Sequence, residues 1–189
     1  MAFKDLLATE FAPFGALSEV QLAALERHYN LLMRWNQRMN LTRIVELHEV
    51  VQLHYCECLW VGQTLPAGDL RVVDVGSGGG FPGIPVGVIR PEFKVDLAES
   101  HQRKSVFLRD ASAELANVRV VAERAEALDA HYDWIISRAV RPSDVLTLRL
   151  AKRTAMLMSD KDLNETILKP TSVLEVPWGK GRILAIFNA

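Results

Sequence analysis

Cysteine is scarce in this chain, with two residues among 189, Cys56 and Cys58. Set two apart on a helix, they point to different sides, so they neither bridge easily nor share a metal. No Cys/His cluster has zinc spacing, which predicts no metal site and reduced thiols. Charge of one sign is not in excess either: 22 Lys and Arg stand against 23 Asp and Glu, a net −1. Without a global basic field, a polyanionic partner must be met by a local patch. No apolar run is long enough to span a bilayer. Asp5 and Glu10 interrupt the first apolar residues and spoil a signal peptide. Repeats and low-complexity stretches do not occur. These absences predict a soluble, cytoplasmic protein with no membrane partner.

What is present suits a packed domain. The apolar fraction is 49%, and the length fits one domain, or one with a short extension. Ser18 and Gln21 read as a capping box, and Leu22, Leu25, Tyr29, Leu32 and Met39 follow at helical spacing. Asn40-Leu41-Thr42 breaks that helix, a second helical stretch covers about 46–63, and Pro66, Gly68 and Asp69 end the helical part. Residues 1–68 are therefore expected to form an N-terminal helical extension packed on a core of residues 69–189. In that core, strands are predicted at 70–75, 93–98, 118–122, 133–137 and 154–158. Helices are predicted near 82–89, 101–116, 142–151 and 160–168. The alternation implies an α/β, Rossmann-like doubly wound sheet, mostly parallel, with helices on both faces. Ser172–Val176 and Arg182–Phe187 flank Pro177-Trp178-Gly179-Lys180-Gly181 and read as a C-terminal β-hairpin.

The densest signal is Asp74-Val75-Gly76-Ser77-Gly78-Gly79-Gly80-Phe81-Pro82-Gly83. It lies between a predicted strand and a predicted helix, with Pro82 where a first-turn proline fits. Such a turn lets the backbone approach a nucleoside cofactor closely. Gly76, Gly78 and Gly80 form G-x-G-x-G, and Phe81 stands where the dinucleotide fingerprint needs glycine. Glu99 follows at the end of the next strand, where a carboxylate can accept both ribose hydroxyls. The plainer reading of Glu99 is a helix-entry acid, with Ser100 as the cap. Asp74 would repel a pyrophosphate and could meet the ammonium group of a methionine moiety. S-adenosylmethionine has a sulfonium and an ammonium and no phosphate, so it suits this turn better than NAD or ATP.

Other residues fall at the same sheet edge. Arg124-Ala125-Glu126 follows the third strand, where backbone groups can bond an adenine edge or simply form a solvated turn. Arg138 closes the fourth strand and could hold a cofactor carboxylate or a substrate phosphate, or pair with a nearby acid. Arg27, Arg34 and Arg38 share a helix sector. With Asn36, Asn40 and Arg43 they could contact RNA phosphates, although such a stripe is ordinarily a solvated face. His54 is open to a structural or a functional reading. No nucleophile–base pair is visible. The Asn-Pro-Pro-Tyr signature of exocyclic amine methylation is missing, as is a Pro-Cys pair for attack on a pyrimidine.

Together these residues resemble the 16S rRNA guanine-N7 methyltransferase family (RsmG, also called GidB). The likeness runs through Arg34-Trp35-Asn36, Asn40-Leu41-Thr42, His54, Asp74 to Pro85, Arg90-Pro91, Glu99-Ser100, Lys104, Phe107-Leu108, Arg124-Ala125-Glu126 and Ser137-Arg138-Ala139, roughly residues 20–145. Its most specific string is Gly80-Phe81-Pro82-Gly83-Ile84-Pro85. The resemblance implies a class I S-adenosylmethionine-dependent methyltransferase. In it Gly76, Phe81, Ala125, Glu126 and Arg138 bind the cofactor and Glu99 holds its ribose. It also implies one guanine in the 530 loop of 16S rRNA as substrate, as naked RNA or in the small ribosomal subunit. A monomer is expected. N7 carries a lone pair and no proton, so no catalytic base is expected. Two positions depart from the family. Glu57-Cys58 replaces Asp-Ser, and Ser159-Asp160-Lys161 stands where Lys-Gly is usual, which leaves RNA contact there to Lys161 or Lys152. The alternatives are an NAD(P)-dependent oxidoreductase and a non-catalytic S-adenosylmethionine-binding protein.

Overall fold

Val72, Val73 and Val75 crowd one short stretch, and β-branched side chains favour a pleated strand over a helix. That stretch is β1 (Arg71–Val75). The computed structural model describes residues 2–129 and 131–188. Before β1 come α1 (Phe3–Phe11), a 3₁₀ turn at Ala12–Phe14, α2 (Glu19–Asn36) and α3 (Leu47–Val50). A wide π turn at Val51–Cys56 then leads into α4 (Glu57–Thr64). The capping box at Ser18 and Gln21 is formed. Helix α1 carries Phe3, Leu6, Leu7 and Phe11 on one buried face. It was not anticipated, because Ala2 gives no side-chain cap to mark its start.

After β1 the chain alternates: α5 (Gly83–Ile89), β2 (Lys94–Ala98), α6 (Gln102–Ala111), β3 (Val118–Val121), a 3₁₀ turn at Ala125–Ala127, β4 (Tyr132–Arg138), α7 (Pro142–Leu146), β5 (Ala151–Ser159) and α8 (Asp160–Asn164). The hairpin β6 (Ser172–Glu175) and β7 (Arg182–Asn188) follows. The sheet order is β3-β2-β1-β4-β5-β7-β6. The first five strands are parallel, and β7 runs antiparallel between β5 and β6. The order reverses between β1 and β4, which places a topological switch point at their carboxyl ends. None of the described helices is long and apolar enough to cross a membrane.

The two faces of the sheet are not covered alike. Val72, Leu97, Trp134, Ile136 and Leu157 pack in one apolar layer with residues of α1, α2, α4, α5 and α6. Val73, Val75, Ile135, Met156, Met158 and Phe187 face the other way, under Val145, Leu150 and Leu163. That second cover is thin because α7 and α8 have five residues each. The stretches 142–151 and 160–168 read as longer helices. The first is cut short because the Tyr132 N–H takes the Leu150 carbonyl at 2.8 Å, drawing the chain into the β4–β5 ladder. Likewise α6 stops at Ala111, not at 116, with Ser112 as its cap. Pro82 precedes α5 instead of opening it.

Candidate active site

At the β1 end the chain turns on glycines with positive φ, +73° at Gly76 and +89° at Gly80, a region only glycine enters freely. The turn is bonded inward. Gly76 and Ser77 N–H donate to the Ala98 carbonyl, at 2.9 and 3.3 Å. Gly80 and Phe81 N–H donate to the Ser77 carbonyl, at 2.7 and 3.1 Å. The Ser77 hydroxyl donates to the Asp74 carbonyl at 3.0 Å.

Glu99 braces this turn against β2. One carboxylate oxygen accepts the Gly78 N–H at 3.0 Å, and the other accepts the His101 N–H at 2.8 Å. The two readings of Glu99 thus meet in one side chain: it serves the entry of α6, which Ser100 does not cap, and it stands at the rim of the turn, 8% exposed. Each oxygen keeps a lone pair for a ligand. A Cβ on Gly78 would find no atom nearer than 3.7 Å, so a cradle lies open there. Half-buried Ala125 and exposed Glu126 sit on the 3₁₀ turn after β3, along the same edge. An adenosine with a free ribose fits this donor and acceptor set: open backbone, one carboxylate, no lysine.

Asp74 is placed differently from the expectation. Its carboxylate is fully buried under α5, where Oδ2 accepts the Gly83 N–H at 2.9 Å and Oδ1 has no partner. Strand parity causes this, since Asp74 shares its face with Val72. Burial pushes its pKa up to about 7, opposed by the Gly83 N–H. It therefore faces the inside of the turn and not the crevice, and an ammonium partner is not within its reach there.

On the β4 side the chemistry changes. The Arg138 guanidinium donates to the Leu53 carbonyl at 2.8 Å and to His54 Nδ1 at 2.9 Å, and lies 3.8 Å from Glu57. It also sits 5.1 Å from the Phe81 ring centroid. Arg138 is thus tied to the π turn, and its expected free cation is half spent within the fold. With Nδ1 accepting, His54 Nε2–H donates to Thr42 Oγ1 at 2.7 Å. Burial first, then Arg138, lowers the His54 pKa to about 3, so the ring is neutral. Glu57, fully buried, is bonded by both Nε and Nη2 of Arg182 from β7. Beside these groups opens a cavity of about 950 Å³, walled by Leu53, Leu146, Leu157 and Met158 and edged by Arg138, Arg141 and Arg182.

The α2 stripe is split. Arg34, Arg38 and Asn40 are exposed, whereas Arg27 pairs with Glu114 at 3.2 Å. Asn36 is structural: it accepts the Leu41 and Thr42 N–H groups and donates to the Thr42 carbonyl. Lys161 lies at the crevice end of β5 and Lys152 at the opposite end, so only Lys161 stands near the position of the family's lysine. Sequence reasoning missed Glu57 and Arg182 as a pair. It also missed His28, which occupies the apolar stripe of α2 three residues after Leu25 and is fully buried. That spacing was its signal.

The sheet order, the braced glycine turn and Glu99 define a class I S-adenosylmethionine-dependent methyltransferase. Solved structures agree on the fold. A SAM-dependent methyltransferase from Aquifex aeolicus matches with TM-score 0.58 at 14% identity, covering 84% of this chain and 96% of that one. A SAM-dependent O-methyltransferase from Thermotoga maritima matches with TM-score 0.56 at 15% identity, covering 84% and 71%. The family model described as rRNA small subunit methyltransferase G matches residues 21–162. A protein of that name from Chromobacterium violaceum is 40% identical over 148 residues, 76% of this chain and 68% of that protein. Its namesake from Desulforamulus reducens is 34% identical over 177 residues, 86% and 74%. The chain belongs to the rRNA small subunit methyltransferase G family. An NAD(P)-dependent oxidoreductase is not favoured.

Proposed function

We infer that this protein methylates N7 of one guanine in the 530 loop of 16S rRNA, as a monomer using S-adenosylmethionine. The observation that carries the reading is the Glu99-braced glycine turn, set within a family match over residues 21–162. Gly76, Gly78, Glu99 and the Ala125–Glu126 turn would hold the adenosine, with Phe81 and Arg138 nearby. When bound, the cofactor supplies an electrophilic methyl on sulfur. Guanine N7 offers a lone pair and no proton, so the protein has only to align and to exclude water. Leu53, Leu157 and Met158 supply apolar walls for the base. His54, neutral and bonded at both nitrogens, holds Arg138 in place and takes up no proton. Arg34, Arg38 and Asn40 are available to RNA phosphates.

The test is labelled S-adenosylmethionine with purified protein, on naked 16S rRNA and on small subunits in parallel. Label should appear in one or both, and borohydride–aniline cleavage should map it to a single guanine. A protein that binds the cofactor and labels neither substrate would overturn the reading.

A further inference from the structure

The glycine turn is held from beneath by a pair of side chains that the proposed reaction does not use. His28 of α2 and Tyr55 of the π turn are both fully buried. His28 Nε2 lies 2.9 Å from the Gly79 carbonyl, and His28 Nδ1 lies 3.0 Å from the Tyr55 hydroxyl. A carbonyl only accepts, so Nε2 carries the proton and Nδ1 is the acceptor. Tyr55 then donates its O–H to Nδ1. Direction is thereby fixed along the whole relay, from Tyr55 O–H to the imidazole to the Gly79 carbonyl. Burial keeps the ring neutral, its pKa lowered to about 4, and keeps the phenol protonated.

The peptide unit at the end of the relay is caught on both sides. Its carbonyl, that of Gly79, receives His28, and its N–H, that of Gly80, donates to the Ser77 carbonyl at 2.7 Å. Its plane sets the direction of the turn between Gly78 and Phe81. The imidazole is also close enough that a Cβ on Gly80 would approach Nε2 to 3.0 Å, and its edge meets the Phe81 ring at 5.1 Å between centroids. Elsewhere on α2 the buried positions are leucines. A leucine at 28 would pack there but leave a buried carbonyl unbonded.

We propose that His28 and Tyr55 are positioning residues that fix the Gly79–Gly80 peptide plane, and with it the backbone cradle for the cofactor's adenosine. The inference rests on reading that turn as the cofactor site. It is tested with S-adenosylhomocysteine as calorimetric probe on wild type, His28→Gln, His28→Met and Tyr55→Phe, each checked by melting. Gln keeps an N–H over the carbonyl and Met does not. The Kd should rise about tenfold for His28→Met, and stay within about threefold for His28→Gln. Tyr55→Phe should raise Kd about threefold and shift the His28 Nδ1 nitrogen resonance as the tautomer loosens. At saturating cofactor, kcat should change less than about twofold. Unchanged Kd in a folded His28→Met, or equal losses for Gln and Met, would overturn the relay. If Met does not fold, wild-type affinity and an unmoved resonance in Tyr55→Phe would do the same. A wild type that does not bind the probe would sink the cofactor reading itself.

Discussion

On the β1–β2–β3 side of the switch point the chemistry is backbone, and the ligand-facing brace is close in sequence: Glu99 bonds Gly78 from 21 residues away, while His28 supports Gly79 from 51. On the β4–β5–β7 side it is side chains, brought from far apart. Arg138 reaches Leu53 across 85 residues, and Arg182 reaches Glu57 across 125. The first half is made by a local turn, the Glu99 brace and the His28–Tyr55 pair beneath it. The second exists only once helices, sheet and hairpin have met. Damage should therefore act on affinity in the first half and on the whole fold in the second.

The largest effect is expected at Glu57. Glu57→Ala leaves Arg182 and Arg138 facing a buried gap, and breaking such a pair costs about 3–5 kcal/mol. Urea denaturation should show that loss, while the folded fraction still binds S-adenosylhomocysteine. A loss below about 1 kcal/mol would mean that the far-apart half is not held by this pair.

Titration comes next, because each half holds a histidine lowered by burial and an acid raised by burial: His28 and Asp74 in the first, His54 and Glu57 in the second. His54, at about 3 in the fold against 6.5 unfolded, contributes stability that is full above pH 6.5 and lost as pH falls toward 3. Wild type should gain on His54→Gln as pH rises through that window, by up to about 1.4 kcal/mol per pH unit. Asp74, raised from 3.8 to about 7, has the opposite sign, with its contribution full below 3.8 and lost as pH rises to 7. Asp74→Asn should thus gain on wild type over the same range. Parallel stability–pH curves for the variants and wild type would contradict both assignments.

Glu99→Ala should leave the melting midpoint within a few degrees and weaken S-adenosylhomocysteine about tenfold or more by calorimetry, since it frees two N–H groups and removes the acceptor. Loss of fold in place of affinity would erase the contrast between the halves. The smallest effect belongs to Arg34→Glu. Stability should move by less than about 0.5 kcal/mol, cofactor affinity should not change, and RNA affinity should fall with a shallower salt dependence. Equal loss of cofactor and RNA binding would point to the fold instead.

The same contrast decides what could be read from the chain. The glycine spacing, the strands, and Glu99 at a strand end are local patterns, and the structure places them as the spacing predicts. Asp74 departs from the expected contact with the cofactor because strand alternation between Val73 and Val75 turns it to the α5 face. Glu57 and Arg182 were not joined, because nothing within a few residues of either names the other. The helix expected over 142–151 is shorter for a physical reason: pairing from Leu150 onward takes its last residues into the β4–β5 ladder.

The place of β7 within the sheet bears on synthesis. Strand β6 is made before β7 and yet lies outside it, at the edge. While the ribosome still holds residues 182–188, β5 has an open edge, β6 has nothing to pair with, and Glu57 lacks Arg182. The nascent chain can set its glycine turn early, but the opposite wall of the crevice closes only once β7 is made.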